Sequence, residues 1–134
     1  MAQNFEGFKH KDLTDKIISI FYKVYNKLGY GFLEKVYENA MMIEFQKENI
    51  PAISQAPIKV LYEGTIVGEY FADILVNNKI ILEIKAAKNL IEENDAQLLN
   101  YLKATDIEVG ILLNFGPKPE IRRKAFDNWR KSFK

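Results

Sequence analysis

The sequence of 134 residues has no cysteine and a single histidine, His10. Without cysteine there are no disulfides, no thiolate metal site and no cysteine nucleophile. One histidine, near the N-terminus, cannot furnish a serine-type triad or a histidine-rich metal site. No apolar stretch approaches the length of a membrane span. The opening residues, MAQNFEGFKHKDL, lack the apolar run of a signal peptide. These absences set the expectation of a cytoplasmic protein with no membrane partner. No glycine-rich phosphate loop follows a strand-like segment. Charge is also nearly absent in sum, at +1, so composition alone does not announce nucleic acid.

What is present is an ordinary globular composition, 48% hydrophobic and 28% charged, enough to build a core for one domain over 1–134. Residues 1–10 are expected to be flexible. The charge is unevenly spread: residues 118–134 carry seven basic side chains against two acidic ones. Such a tail either grips phosphate, with Arg122 and Arg123 as candidates, or is a solvated helix face.

Apolar periodicity predicts a helix over 11–28, through Leu13, Ile17, Ile20, Phe21, Val24 and Leu28, stopping at Gly29. Gly29-Tyr30-Gly31 reads as a turn. A second helix is expected from about 33 to 48. The period then changes, predicting strands over 57–62, 65–76 and 79–86, with turns at Glu63-Gly64 and Asn77-Asn78. A helix over about 92–104, a strand over 107–113, a loop over 114–119 and a last helix over about 120–131 complete the chain. The order α-α-β-β-β-α-β-α describes a mixed central β-sheet flanked by helices, an α/β (α+β) class. The helical crossover makes the third and fourth strands parallel.

Two strands carry charge where only apolar side chains are expected. Ile80-Ile81-Leu82-Glu83-Ile84-Lys85-Ala86 is otherwise aliphatic, yet Glu83 and Lys85 share one face. Buried charge is costly unless paired or bound to a metal. An exposed ion pair on an edge strand is the alternative. The preceding strand holds one acid, Asp73, between Ala72 and Ile74, where a local bulge is the alternative. Carboxylates converging from both strands make a hard-oxygen site for Mg²⁺ or Mn²⁺. A neighbouring lysine can stabilise charge or help deprotonate a water. The pairing makes a geometric demand. A two-residue Asn77-Asn78 turn opposes 73 to 82 and puts Glu83 on the wrong face. A three-residue turn through Lys79, or a bulge, opposes 73 to 83.

Glu34, just after the glycine turn, is either a third carboxylate or a favourable first-turn acid. Gln97 and Tyr101 lie four apart on one helix face, as substrate-facing groups or as satisfied polar groups. Tyr37 reads as a core or rim residue and also as a candidate for substrate contact.

Gly31-Phe32-Leu33-Glu34-Lys35-Val36-Tyr37 resembles the G-x-x-E-x-x-Y signature of the GxxExxY proteins, a branch of the PD-(D/E)XK nuclease superfamily. Asp73 with Glu83-Ile84-Lys85 is similar to the superfamily's D…(D/E)-X-K core. Gln97-Leu98-Leu99-Asn100-Tyr101 is similar to its Q-x-x-x-Y motif. Ala72 stands where the superfamily's name has proline. The resemblance implies a restriction-endonuclease-like core. It implies Mg²⁺ (or Mn²⁺) held by Asp73, Glu83 and the Ile84 carbonyl with Glu34 assisting, Lys85 near the attacking water, and Gln97 orienting Lys85 or phosphate. The implied activity is metal-dependent hydrolysis of phosphodiester bonds, in DNA sooner than RNA, in repair or processing of ends. The alternative is a catalytically weak nucleic-acid-binding or homodimeric interaction module. A homodimer or an accessory protein is the further partner this small chain would use.

Overall fold

In the computed structural model, which describes residues 8–131, two helices lead into a five-stranded sheet. Helix α1 (Lys11–Leu28) buries Thr14, Ile17, Ile20, Phe21 and Val24, the stripe expected from its period. It ends where Gly29, at φ 68°, turns the chain out of the helix. Helix α2 (Glu34–Lys47) buries Tyr37, Glu38, Met41 and Phe45. Five strands follow, β1 (Ala52–Tyr62), β2 (Thr65–Val76), β3 (Ile80–Lys85), β4 (Val109–Phe115) and β5 (Pro119–Ala125). Helix α3 (Glu92–Ala104) lies between β3 and β4. The sheet order is β1-β2-β3-β4-β5, with β3 and β4 parallel and every other pair antiparallel. This is the mixed sheet and the α+β class expected.

Helices α1 and α2 pack on one face, over Ile74, Leu82, Ile111 and Phe115. Helix α3 packs on the other, over Ile58, Ile81 and Leu112. It comes so close to β4 that a Cβ on Gly110 would stand 2.6 Å from Leu98 Cδ1.

Two elements differ from expectation. Strand β1 begins at Ala52 instead of residue 57, running through Pro57. A proline has no N–H for a ladder, but β1 is an edge strand, where one side needs no partner. The last segment is a strand followed by a short 3-10 turn, Asn128–Arg130, and not a helix over 120–131. The reason lies in β4, buried at every position. A strand so enclosed needs backbone partners on both sides, and β5 supplies the second ladder from Val109↔Ala125 to Phe115↔Pro119. The run Arg122-Arg123-Lys124 then sits on the outer edge, where charge discourages pairing with another chain. Trp129 is 83% exposed, with its side chain hydrogen-bonded to Asp127.

Of the segment expected to be flexible, residues 1–7 lie outside the described residues. Lys9 is tied by ion pairs to Glu108 at 3.0 Å and Asp127 at 2.8 Å.

Candidate active site

The site begins with a turn. Val76 pairs with Ile80, so three residues connect β2 to β3, with Asn77 at φ 49° and Asn78 at φ 54°. Asparagine tolerates this left-handed backbone better than most residues. The ladder continues Leu75↔Ile81 and Ile74↔Leu82, and then stops. At the next step the two carboxylates replace the ladder. The Asp73 N–H donates to Glu83 Oε2 at 2.9 Å, and the Ile84 N–H donates to Asp73 Oδ2 at 2.7 Å. The register demanded by a shared site is therefore the one present.

A change of face brings Asp73 to this position. Ala52 and Ile74 belong to the α1/α2 core, whereas Ala56, Ile58 and Ala72 belong to the α3 core. In a flat strand, residues two apart share a face. Here the β1–β2 hairpin rolls over between Ser54↔Ile74 and Ala56↔Ala72. At the crossover stand Gln55, at φ 56°, and Asp73.

Glu83 is 4% exposed. Burial, and then the neighbouring Asp73 charge, push its carboxyl up to about 8, although the Asp73 N–H and Lys85 act the other way. Burial likewise raises Asp73, against the Ile84 N–H, Lys85 and a hydrogen bond from Gln55. Two acids desolvated side by side, with one lysine to offset them, form a site short of positive charge. That shortage, and the hard oxygen donors, fit a divalent cation. Among the described residues no cluster of three or more Asp, Glu, His or Cys side chains is arranged to hold a metal. An ion here would rest on Asp73, Glu83, the Ile84 carbonyl and water.

Glu34 is exposed at the start of α2 and has no hydrogen bond to this pair. The acid of α2 that turns inward is Glu38, 3% exposed. It accepts hydrogen bonds from Ser54 Oγ and Gln55 Nε2 and pairs with Lys35 at 2.8 Å. Its charge acts on both Asp73 and Glu83. Gln55 thus bridges Glu38 and Asp73. Sequence reasoning passed over Glu38 and Gln55. Glu38 lies one turn beyond Glu34, and that spacing was a legible signal. Gln55 left none, since its left-handed backbone is set by the hairpin.

Tyr101 is 6% exposed, and burial followed by the charge of Glu83 raises its hydroxyl to about 12, keeping it a donor. Gln97, on the same helix, is exposed and makes no side-chain hydrogen bond to Lys85 or to either carboxylate. It lines a groove between α3 and the hairpin.

Three expected substrate contacts are otherwise engaged. Tyr37 is 0% exposed; its hydroxyl donates to the Gly29 carbonyl at 2.8 Å and accepts from the Phe32 N–H at 3.2 Å. Its ring stacks on Phe115, with centroids 4.2 Å apart. It fixes the glycine turn. Arg122 pairs with Asp95 of α3. Arg123 lies over the Phe8 ring at 4.1 Å and donates to the Lys9 carbonyl. Arg122 thus ties β5 to α3, and Arg123 ties β5 to the residues before α1.

Lys85 leads into a segment clamped from β4. Asn114, 0% exposed, accepts from the Ala87 N–H and donates to the Ala87 carbonyl, each at 2.9 Å. Gly116 passes so near that a Cβ would lie 2.1 Å from the Ala87 oxygen.

No helix among the described residues is long and apolar enough to cross a membrane. No curated protein sequence matches the chain. Among solved structures, one titled "Crystal structure of SSO0001" is similar, with a TM-score of 0.56 and 18% identity. The match covers 69% of this chain and 50% of that one, so the likeness is one of fold. A family model described as the PD-(D/E)XK nuclease superfamily matches residues 11–124. That match spans most of the chain, and the chain belongs to the PD-(D/E)XK nuclease superfamily.

Proposed function

We propose that this chain is a Mg²⁺- or Mn²⁺-dependent nuclease that hydrolyses phosphodiester bonds, in DNA sooner than RNA. One observation carries the reading: Asp73, half-buried, and Glu83, buried, stand side by side where the β2–β3 ladder opens, with Lys85 two residues on. Within the superfamily, the Gly31…Glu34…Tyr37 pattern supports placement in the GxxExxY branch. The reading extends to a role in repair or the processing of ends, with a second copy or an accessory protein as the further partner.

Asp73, Glu83 and the Ile84 carbonyl would hold the cation. When bound, it would supply Lewis acidity at the scissile phosphate and a more acidic water at neutral pH. Lys85 offsets the charge that builds on the phosphoryl oxygens and orients the attacking water. Glu38, through Gln55, keeps Asp73 in place. Attack forms a bond from water oxygen to phosphorus, breaks the P–O ester bond, and leaves a proton on the departing oxygen.

A second reading, a nucleic-acid-binding or homodimeric module without turnover, draws on one observation. Tyr62, Ile66, Val67 and Phe71 are each exposed along the hairpin. An apolar surface of this kind suits a protein interface.

The test is cleavage of labelled single- and double-stranded DNA with Mg²⁺ or Mn²⁺, beside Glu83→Gln. Cleavage by the parent alone is the expected result. Inactivity of the parent on DNA and RNA alike, with a size that grows with concentration, would replace this reading with the second.

A further inference from the structure

Beside the carboxylates runs a groove of about 560 Å³ between α3 and the outer half of the β1–β2 hairpin. Its floor and walls are apolar, from Val60, Val67 and Ala96. Two aromatic rings stand in it. Tyr70 and Tyr101 have ring centroids 5.7 Å apart at 43°. Tyr101 is buried, lines the groove and lies in the field of Glu83 and Asp73, so this side chain links the groove to the candidate active site. Tyr70 is 48% exposed.

The ring of Tyr70 is held in a set place. Gly68, two residues earlier on the same strand, has no side chain, and a Cβ there would come 3.3 Å from Tyr70 Cε2. A glycine in a strand interior weakens the strand and commonly marks a close approach. Here it gives the ring space to lie along the strand, against Tyr101, with one side to solvent.

The polar groups of the groove are amides. Gln97 and Asn100 line it, and among the described residues neither side chain has a hydrogen-bond partner. An amide both donates and accepts, as the edge of a nucleobase does. Charge is balanced, with Glu93 and Lys103 of opposite sign at the groove. A phosphate would want a basic lining. A flat, neutral ring with donor and acceptor edges wants an aromatic face and amides.

We propose that the groove between α3 and the hairpin binds an unpaired nucleobase of the substrate, stacked on Tyr70 and met at its edge by Gln97 and Asn100. The inference rests on the nuclease reading and sharpens it. The preferred substrate has an unpaired nucleotide next to the scissile phosphate, as in a single strand, a flap or a frayed end. Paired bases in a duplex are stacked on their neighbours and cannot enter.

The test separates binding from cleavage. Short single strands of DNA and RNA carrying 2-aminopurine are titrated with the protein in EDTA, beside a duplex of the same sequence. The parent is expected to quench the probe and to bind the single strand more tightly than the duplex. Tyr70→Ala is expected to weaken single-strand binding by about tenfold, the scale of one base–aromatic stack, and Tyr70→Phe to restore it. Tyr70 is half exposed, and an unchanged melting temperature for both variants confirms that folding is not the cause. Single-strand affinity equal for parent and Tyr70→Ala, or no quenching by the parent, overturns the proposal. Base-dependent binding without cleavage under Mg²⁺ or Mn²⁺ leaves the groove standing and removes the nuclease reading. Cleavage that ignores an abasic site beside the scissile phosphate removes the groove and leaves the nuclease.

Discussion

Asp73 and Glu83 are held to each other through the backbone: the Asp73 N–H donates to Glu83 Oε2 at 2.9 Å, while Asp73 Oδ2 accepts from Ile84, the residue after Glu83. Two acids thereby take the place of a ladder step. Each carboxylate satisfies a backbone N–H that the opening strands would leave unpaired. The same bonds fix both acids at the mouth of the opening.

This pair makes stability depend on pH. Glu83 is raised from 4.5 to about 8 by burial and by Asp73, so the folded state resists its ionisation. Its contribution is fully present below about pH 4.5 and is lost as pH rises towards 8. Asp73 is raised too and acts in the same sense. Glu83→Gln should remove most of this slope, gaining on the order of a few kcal/mol over the parent above pH 8. Thermal melts from pH 4 to 9 in EDTA check this, and a parent as flat as the variant would refute it. Added Mg²⁺ should raise the parent's melting temperature at pH 8 and leave the variant's nearly unchanged.

Gln55 offers a way to separate stability from activity. Its φ of 56° costs about 1 kcal/mol in a residue with a side chain. Gln55→Gly relieves that cost but removes the bridge between Glu38 and Asp73. Melting temperature should hold or rise while cleavage falls by about tenfold. Glu38→Gln should also lower cleavage, and Glu34→Ala should leave it near the parent's. Steady-state rates with one substrate and one metal decide, and equal losses at positions 34 and 38 would refute the assignment.

Asn114 holds both polar groups of Ala87 and reaches Glu120 Oε1 at 3.0 Å. Asn114→Ala leaves these part-buried groups unpaired and should cost about 2 kcal/mol. Gly116→Ala would force a methyl against the Ala87 oxygen and should destabilise by a similar amount. Denaturant unfolding of the two variants measures it. Losses below 1 kcal/mol would mean that the segment after Lys85 relaxes freely.

Tyr37→Phe removes one hydroxyl that serves the Gly29 carbonyl and the Phe32 N–H. It should lower stability by about 1–2 kcal/mol and leave KM for a nucleic-acid substrate unchanged. A rise in KM at unchanged stability would restore a substrate role for this side chain.

Much of the site was legible because it is local. Ile80 to Lys85 is an aliphatic run broken by two charges, and the alternation of a strand puts them on one face. The three-residue turn followed from requiring Asp73 and Glu83 to share that face, and the pairing of Val76 with Ile80 meets the requirement. The helical stripe of Leu13 to Leu28 needed only the helical period.

What stayed hidden depends on partners distant in sequence. Residues 120–131 carry good helix formers, yet β4, buried throughout, draws 119–125 into the sheet. The basic side chains expected to reach phosphate are spent on Asp95, Phe8 and the Lys9 carbonyl, none of them near in sequence. The choice of Glu38 over Glu34 rests on where Ser54 and Gln55 come to lie, and that rests on the rolled hairpin. Sequence by itself determined which residues alternate, where a turn falls and which charges interrupt an apolar strand, because those rules act over a few bonds. Tertiary structure alone decided which charges end up desolvated together, because desolvation is set by everything packed around a group and not by its neighbours along the chain.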